Sequence, residues 1–371
     1  MNYSNKNILN IIQCSELGGM EHANLSLLKG LQKKKYVIDY YSISKMGEMS
    51  KLLDKLDIPY HSFGYHKFLS YFKFQKILKY FRKKKYQTII LTGHNLLITI
   101  ILLLVNSKKK IFTTHFHHFE NKSIINLLKW KFHYFFIYKT FDHIIFPSKF
   151  IQNEAVSIYP SLIKKSSIIY YGYNLKKKSE MKSKKIARKN LLIPLNGIII
   201  GNAGWIIKRK RFDIFIKVAF KLLKKNKNFF FLIAGDGPLL EEIKDRVNEY
   251  KFQNSFKFLG KQTDLNDFYS SLDLFLFNSD FDALPRAPME ALTYGVPIVI
   301  SLKNSGLFEF FPQKDFKYIF NNHDINKLSS SIEKIFDSKF EYQKLVKQYN
   351  SKIEQILSEE TYIDSYESLF E

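Results

Sequence analysis

The apolar residues of this chain alternate between two periods, and that alternation constrains the fold more than any other feature. Short runs rich in Ile, Leu and Phe, such as Thr88–Leu91, Gly197–Asn202 and Asn228–Ala234, give way to turns. Longer stretches follow in which apolar residues recur every three to four positions. A short apolar run suits a strand buried on both faces, and the 3.6-residue period suits a helix covering it. Repeated along a chain, the pair predicts a parallel sheet wrapped by helices.

The pattern runs through the chain twice. In the first half, strands are expected at Asn7–Gln13, Thr88–Leu91, Lys110–Thr114 and His143–Pro147, with helices at Glu21–Leu31 and Leu96–Val105. The Leu96–Val105 run is 10 residues long. A membrane span needs about 20, so this run reads as a buried helix. Ile8–Ile12 is likewise too short for the core of a signal peptide. A polar, lysine-dense stretch, Lys176 to Asn190, has few apolar anchors and interrupts the pattern. We place the domain boundary near Gly172, giving units 1–172 and 173–350. Beyond it, strands are expected at Gly197–Asn202, Asn228–Ala234, Phe256–Leu259, Leu272–Phe277 and Val296–Ile300. Phe212, Phe215, Ile216, Ala219, Leu222 and Leu223 mark one face of a helix; Leu239–Tyr250 and Met289–Tyr294 are two more. The expectation is two α/β halves of similar size with a cleft between them.

Composition narrows the class further. With 46% hydrophobic and 25% charged residues the chain is an average globular mixture, which excludes disorder, collagen-like repeats and coiled coil. A single cysteine, Cys14, excludes an internal disulfide and suits a reducing, cytoplasmic setting. The 58 basic and 34 acidic side chains leave a net charge of +24. Nucleic acid, an anionic membrane surface and a phosphorylated substrate are the partners such a surplus suits.

Open α/β sheets bind ligands beyond the carboxyl ends of their strands, so the strand-to-helix turns carry the chemistry. Four stand out. Gly18-Gly19 precedes a helix, where bare backbone amides can approach an anion; the plain alternative is a tight turn. Gly201-Asn202-Ala203-Gly204-Trp205 leads to Lys208-Arg209-Lys210-Arg211 at a helix start. Four cations are unfavourable there unless a di-anion such as a pyrophosphate reverses the sign, or unless the turn is simply a solvated basic loop. Asp280-Phe281-Asp282 and Glu290 flank the start of a third helix. A carboxylate so placed can accept sugar hydroxyls, or the Asp280/Asp282 pair could hold Mg²⁺ or Mn²⁺. The last candidate is the histidine group His94, His115, His117 and His118, with Glu120 close by. Strand alternation turns His118 away from His115 and His117, which favours cleft-lining histidines over a zinc site.

Taken together, these residues resemble the family-4 retaining glycosyltransferases, which have the GT-B fold of two Rossmann-like domains facing across a cleft. The similarity is most specific in Asp282-x₇-Glu290, followed by Ala291, Gly295, Pro297 and Val299. Gly201–Asp213, Ala234–Pro238, Phe258-Leu259-Gly260 and Gly306–Glu309 fall in the family's order and spacing. So do Gly18–Glu21, the strand ending at His115, and Ile168–Asn174.

The resemblance implies a nucleotide-diphosphate sugar as donor, no required cofactor and no metal. It implies that Lys210 binds the donor pyrophosphate and stabilises the leaving nucleotide, while Glu290 holds the ribose and Asp282 the transferred sugar. Amides around Ala287, Pro288 and Met289 would hold phosphate and sugar oxygens. Gly18 and Gly19 would close on the phosphates from the other domain, with Gly204 beside them. Gly260, Lys261 and Gln262 would line the base, and His115 would position sugar and acceptor. Residues 351–371 would cross back onto the first domain. Two positions depart from the family: Asp282 stands where glutamate is usual, and Trp205 where arginine is usual. Arg209 or Lys208 is the candidate replacement for that missing cation.

Two segments bear on the acceptor. Lys67–Lys85 sets Tyr71, Phe74, Leu78 and Phe81 against Lys76, Lys79 and Lys83; Asn121–Lys139 mixes Trp130, Phe132, Phe135 and Phe136 with Lys129, Lys131 and Lys139. Basic, aromatic amphipathic helices suit an anionic membrane interface, although ordinary domain helices packed on a sheet would read the same way. The expectation is a glycan or lipid-linked acceptor for surface polysaccharide or lipopolysaccharide. The enzyme would then be peripheral on the inner face of the cytoplasmic membrane and would have no nucleic-acid partner. The rival classes are a basic nucleic-acid-binding protein, a GT-B-fold epimerase or phosphorylase, and a non-catalytic assembly partner. Dispersed lysines and the lack of a familiar binding module speak against nucleic acid.

Overall fold

A computed structural model describes residues 6–13, 18–64, 71–114, 123–173, 181–226, 228–311, 318–320, 323–338 and 357–371. The chain divides into two compact units, Met1–Tyr173 with Leu357–Glu371, and Asn174–Ile356.

The first unit holds β1 (Asn7–Ile12), β2 (Val37–Ser42), β3 (Tyr60–Ser62), β4 (Thr88–Thr92), β5 (Lys109–Thr113), β6 (His143–Phe146) and β7 (Ser166–Ile168). They form one parallel sheet in the order β3-β2-β1-β4-β5-β6-β7. The intervening helices are α1 (Gly19–Lys33), α2 (Met49–Asp54), α3 (Tyr71–Lys83), α4 (Leu96–Leu103), α5 (Ile124–Thr140) and α6 (Lys149–Ile158). Strand side chains Ile8, Ile12, Ile90, Ile111 and Ile145 share a core with Leu27, Leu28 and Leu31 of α1. Asn95 caps α4, its side chain accepting from the Ile98 amide at 3.0 Å, and Ile98, Ile101 and Leu102 are buried. The apolar run is therefore a short internal helix. Among the described residues no helix is long and apolar enough to cross a membrane.

The second unit repeats the scheme with β8 (Ile198–Ala203), β9 (Phe229–Ala234), β10 (Phe256–Phe258), β11 (Leu274–Asp282), β12 (Ile298–Ser305) and β13 (Ile319–Phe320). Their order is β10-β9-β8-β11-β12-β13, again parallel. Its helices are α7 (Lys184–Asn190), α8 (Phe212–Lys225), α9 (Leu240–Glu249), α10 (Asn266–Ser271), α11 (Arg286–Thr293) and α12 (Ile325–Asp337). In each sheet the chain order reverses once, between β1 and β4 and between β8 and β11. Such a reversal sends the flanking loops in opposite directions and opens a crevice at the carboxyl ends of the two strands.

The structure adds strands β2, β3, β7 and β13 and helices α2, α6, α10 and α12, which the sequence reading did not name, and two further elements differ from it. Strand β11 runs past Phe277 to Asp282, because residues 278–282, polar apart from Phe281, go on pairing with β12, as in Asp282 opposite Ser305. The lysine-dense stretch ends in α7, anchored by a charge. Arg188 is 5% exposed; its Nε donates to the Ser271 carbonyl at 3.0 Å and its Nη1 to that of Leu195 at 2.9 Å. Its Nη2 meets Asp273 at 2.6 Å. Hydrophobic patterning cannot find an anchor of this kind.

The chain closes with α13 (Glu359–Glu367), which packs on α1 of the first unit. A Cβ at Gly30 would lie 2.0 Å from Ile363 Cδ1, so the two helices approach at a residue without a side chain. Lys34 pairs with Asp364 at 2.6 Å and also with Glu367, while Tyr362, Tyr366 and Phe370 join the core. The first residues of the 351–371 segment lie outside the described residues.

Removing a buried ion-pair partner costs about 3 kcal/mol or more. Arg188→Ala is expected to lower the unfolding free energy by about 3 kcal/mol in urea titration, with Arg188→Lys intermediate.

Candidate active site

The crevice between β8 and β11 gathers most of the sequence candidates. After β8 the backbone turns at Gly204, whose amide donates to the Ala234 carbonyl at 3.0 Å. The next turn, after β9, lies directly against it. Gly235 (φ +146°) donates to the Gly260 carbonyl at 2.9 Å, and a Cβ there would sit 1.9 Å from the Gly204 carbonyl oxygen. Only glycine fits that contact. The loops after β8, β9 and β10 thus form one hydrogen-bonded rim. Lys261 and Gln262 are exposed on it, Gln262 donating to the Leu259 carbonyl at 2.5 Å.

The basic turn is held by the neighbouring strand. Lys208–Lys210 make one 3-10 turn, and Arg211, in a left-handed conformation (φ 47°), begins α8. That conformation costs on the order of 1–2 kcal/mol in a non-glycine residue. Ion pairs offset it: Arg211 meets Asp213 at 2.9 Å and Asp280 at 3.0 Å. Lys210 pairs with Asp282, and Arg209 lies 3.7 Å from the same carboxylate while donating to the Phe281 carbonyl at 2.7 Å. Lys210 and Asp282 are each less than one-fifth exposed. Asp280 also meets His323 Nε2 at 3.0 Å, and His323 Nδ1 lies 2.6 Å from the Ser301 hydroxyl. Both carboxylates of Asp280-x-Asp282 are therefore occupied by protein cations, the electrostatic opposite of an open Mg²⁺ site. Trp205 is 64% exposed, and Arg209 supplies the second cation near the crevice.

Beyond Asp282 the chain enters α11. No side chain caps its N-terminus, so first-turn amides are left without intrahelical acceptors. Arg286 and Ala287 carry such amides; Pro288 has no N–H and cannot serve as a donor, and the amide of Met289, the fourth helical residue, has the Pro285 carbonyl as its intrahelical acceptor. Glu290, one turn in, accepts from the buried Tyr269 hydroxyl at 2.9 Å and from Arg286 Nε at 3.3 Å. Burial, reinforced by this carboxylate, holds the Tyr269 hydroxyl well above its ordinary pKa, so it stays a donor.

The corresponding edge of the first unit is less complete. Gly18 caps α1, and its amide donates to Glu21 Oε2 at 3.1 Å. Glu21 thus places a carboxylate where an anion was expected. Gly19 is the first residue of that helix. His115, His117, His118 and Glu120 lie outside the described residues. His94 is described: it follows β4, and its Nε2 lies 2.6 Å from the Thr114 hydroxyl. It opens onto a groove of about 480 Å³ between α4 and α5, lined also by Asn95, Leu96, Leu97, Ile100, Trp130 and His133. Burial pushes the His133 imidazole down to about 4.

Residues 183–353 match the family described as Glycosyl transferases group 1, and residues 17–177 match Glycosyltransferase Family 4. The chain belongs to the glycosyltransferases. It is 22% identical to an uncharacterized glycosyltransferase of Haemophilus influenzae, over 88% of this chain and 89% of the relative. It is 26% identical to the O-antigen biosynthesis glycosyltransferase WclY of Escherichia coli, over 69% of this chain and 74% of that one. Its fold is that of Anabaena HepE, solved with UDP-glucose, at a TM-score of 0.82 and 16% identity over 98% and 99% of the two chains. Both halves of the enzyme therefore have the Rossmann-like architecture of the GT-B fold.

Sequence reasoning on this glycosyltransferase passed over several polar residues around these sites. Tyr269 and Arg286 hold both oxygens of Glu290; His323 joins Arg211, already singled out in the basic turn, on Asp280; His133 joins Trp130, already singled out in its helix, in walling the groove. Arg286, four residues before Glu290, carried a readable i,i+4 signal. Tyr269 and His323 carried none, since each meets its partner only through the sheet.

His133 supplies a test. Its folded pKa lies below the ordinary 6.5, so between about pH 6.5 and 4 the unfolded chain binds a proton that the native chain does not. Stability is therefore lost as pH falls through that window, by on the order of 3 kcal/mol in full. Denaturant melts at pH 7 and pH 4.5 are expected to diverge less in His133→Phe than in the parent enzyme.

Proposed function

We propose that this glycosyltransferase moves a sugar from a nucleoside-diphosphate sugar to an acceptor hydroxyl with retention of configuration. The observation that carries this reading is the pairing of Lys210 and Arg209 with Asp282 at the β8–β11 crevice, beside the uncapped start of α11. Without a donor, the cations are neutralised by an internal carboxylate. A diphosphate entering the crevice takes over that role, and Asp282 is released to accept hydroxyls of the transferred sugar. Glu290, held by Tyr269 and Arg286, presents a fixed carboxylate to the nucleotide ribose. The rim at Gly260, Lys261 and Gln262 borders the base, and the amides of Arg286 and Ala287, at the helix start that also carries Pro288 and Met289, face the phosphate oxygens.

In this reaction the protein's main contribution is electrostatic. Negative charge grows on the leaving phosphate, and Lys210 with the helix-start amides stabilises it from positions fixed beforehand. The leaving oxygen itself takes the acceptor proton on the face it vacates, so no strong side-chain base is needed. The family resemblance assigns His115 to the acceptor in this scheme, and the His94–Trp130 groove suits the acceptor glycan, with an aromatic wall and polar groups. The UDP-glucose complex of HepE supports a uridine donor, and the WclY relationship supports a role in surface polysaccharide assembly. The lipid-linked acceptor at the inner face of the cytoplasmic membrane is part of the same proposal and rests on the basic, aromatic sequence of α5.

Lys210→Ala is expected to lower turnover by about 10²- to 10³-fold, the scale for losing one preorganised donor. Asp282→Asn is expected to lower turnover yet tighten binding of the free nucleoside diphosphate by about two- to fivefold, since the competing carboxylate is gone. Calorimetric titration checks the opposite signs. A thermal-shift panel of UDP-, GDP-, ADP- and CMP-sugars identifies the donor, because a ligand of the native state raises the midpoint by mass action. No shift with any of them overturns the reading.

A further inference from the structure

Helix α5 is apolar on the side turned away from its own domain. Its inner face buries Tyr134, Ile137 and Thr140. The opposite face carries Ile124, Leu128, Phe132 and Phe135, which recur at the spacing that aligns side chains into one stripe. These four are 76%, 59%, 56% and 41% exposed, and Ile125 beside them is 67% exposed. Lys131 and Lys139 stand within the stripe and Lys129 on its flank, with the Lys139 ammonium 6.0 Å from the Phe135 ring centroid. The sequence of α5 contains no acidic residue. Leu103 and Leu104, at the end of the adjoining α4, are exposed as well.

On the other candidate helix, α3, the described side chains pack in the ordinary way. Ile77, Leu78 and Phe81 are buried, and Gln75, Lys76, Lys79, Arg82 and Lys83 face outward; the side chains of Tyr71 and Phe74 lie outside the described residues. The two segments read alike as basic, aromatic sequences, and of their described side chains those of α5 form the exposed apolar stripe. A continuous exposed apolar stripe marks an interaction surface. Its charges select the partner. A second copy of α5 laid on the first would bring lysines against lysines, whereas a sheet of lipid phosphates is the complement of an apolar stripe studded with cations. Lysines at such a level extend their ammonium groups to the headgroups while their methylenes stay with the apolar side chains.

We propose that the outward face of α5 docks on an anionic lipid bilayer. Leu128, Phe132 and Phe135 enter the interface, and Lys129, Lys131 and Lys139 meet the phosphates. Because Trp130 and His133 of the same helix wall the groove with His94, docking would set that groove beside the lipid surface. This proposal deepens the lipid-linked acceptor reading and rests on it only for its purpose, since binding to lipid is measured without turnover.

The test is co-sedimentation of the full chain with vesicles of phosphatidylglycerol and phosphatidylethanolamine, compared with phosphatidylcholine alone. The parent protein is expected to bind the anionic vesicles, less at high salt, and to bind phosphatidylcholine weakly. Leu128→Asn/Phe132→Asn/Phe135→Asn and Lys129→Glu/Lys131→Glu/Lys139→Glu are each expected to lower the partition coefficient by about tenfold or more. Lys76→Glu/Lys79→Glu/Lys83→Glu on α3 is expected to stay close to the parent. All substituted side chains are exposed, and unchanged thermal midpoints and nucleotide binding report intact folding. The proposal is overturned if the parent ignores anionic vesicles, if the apolar α5 variant binds as the parent does, or if the α3 variant loses as much. It is also overturned if the stripe mediates a dimer in sedimentation without lipid. The donor panel reads the other unit, so a failure of docking and a failure of the glycosyltransferase chemistry are told apart.

Discussion

The contact between the turn after β8 and the end of β11 is the interaction on which the donor side depends. Lys208 to Arg211 crowd four positive charges against a helix start that is already positive. Two carboxylates from the neighbouring strand, Asp280 and Asp282, make that arrangement tenable. The same pairing stabilises Arg211 in a left-handed conformation that a bulky residue otherwise avoids, and it reaches through His323 to Ser301 on β12. Strand β11 runs on to Asp282 because its polar tail continues to pair with β12. Its length is therefore what brings the carboxylates level with the cations.

A resting pair that one substrate charge can displace suits a site that binds a diphosphate. The cations stay folded in the absence of ligand, and the carboxylate they release is itself a group a sugar can use. Glu290 is held differently. Tyr269 and Arg286 occupy both of its oxygens, so its direction is set by the fold before anything binds. In the proposed reaction one acid is exchangeable and the other fixed, although the sequence presents them as a matched pair eight residues apart.

The surface follows a similar division. Charge alone did not say which basic helix leaves an apolar face outside. Of its described side chains α3 buries Ile77, Leu78 and Phe81, and α5 leaves Ile124, Leu128, Phe132 and Phe135 outside while burying Tyr134 and Ile137. Much of the remaining positive charge is dispersed on helix exteriors. Some of it is structural: Arg188 is inside the second unit, bonded to carbonyls and Asp273.

The sequence by itself determined the repeated parallel α/β scheme, the approximate positions of β1, β4, β5, β6 and β8 to β12, and the strand-end turns. It could do so because those features depend on local period, on glycine where a backbone must turn sharply, and on residues close together in the chain. The turn glycines Gly204 and Gly235, and Lys210 beside Arg209, are of that kind. Tertiary structure alone decided that Asp282 closes on Lys210, that Tyr269 orients Glu290, and that α5 wears its apolar stripe outward. Two of these join residues brought together by strand order or helix packing, and the third depends on which face of a helix meets the sheet. Periodicity reports that a face is apolar, but only the packed domain determines whether that face turns inward or toward a partner.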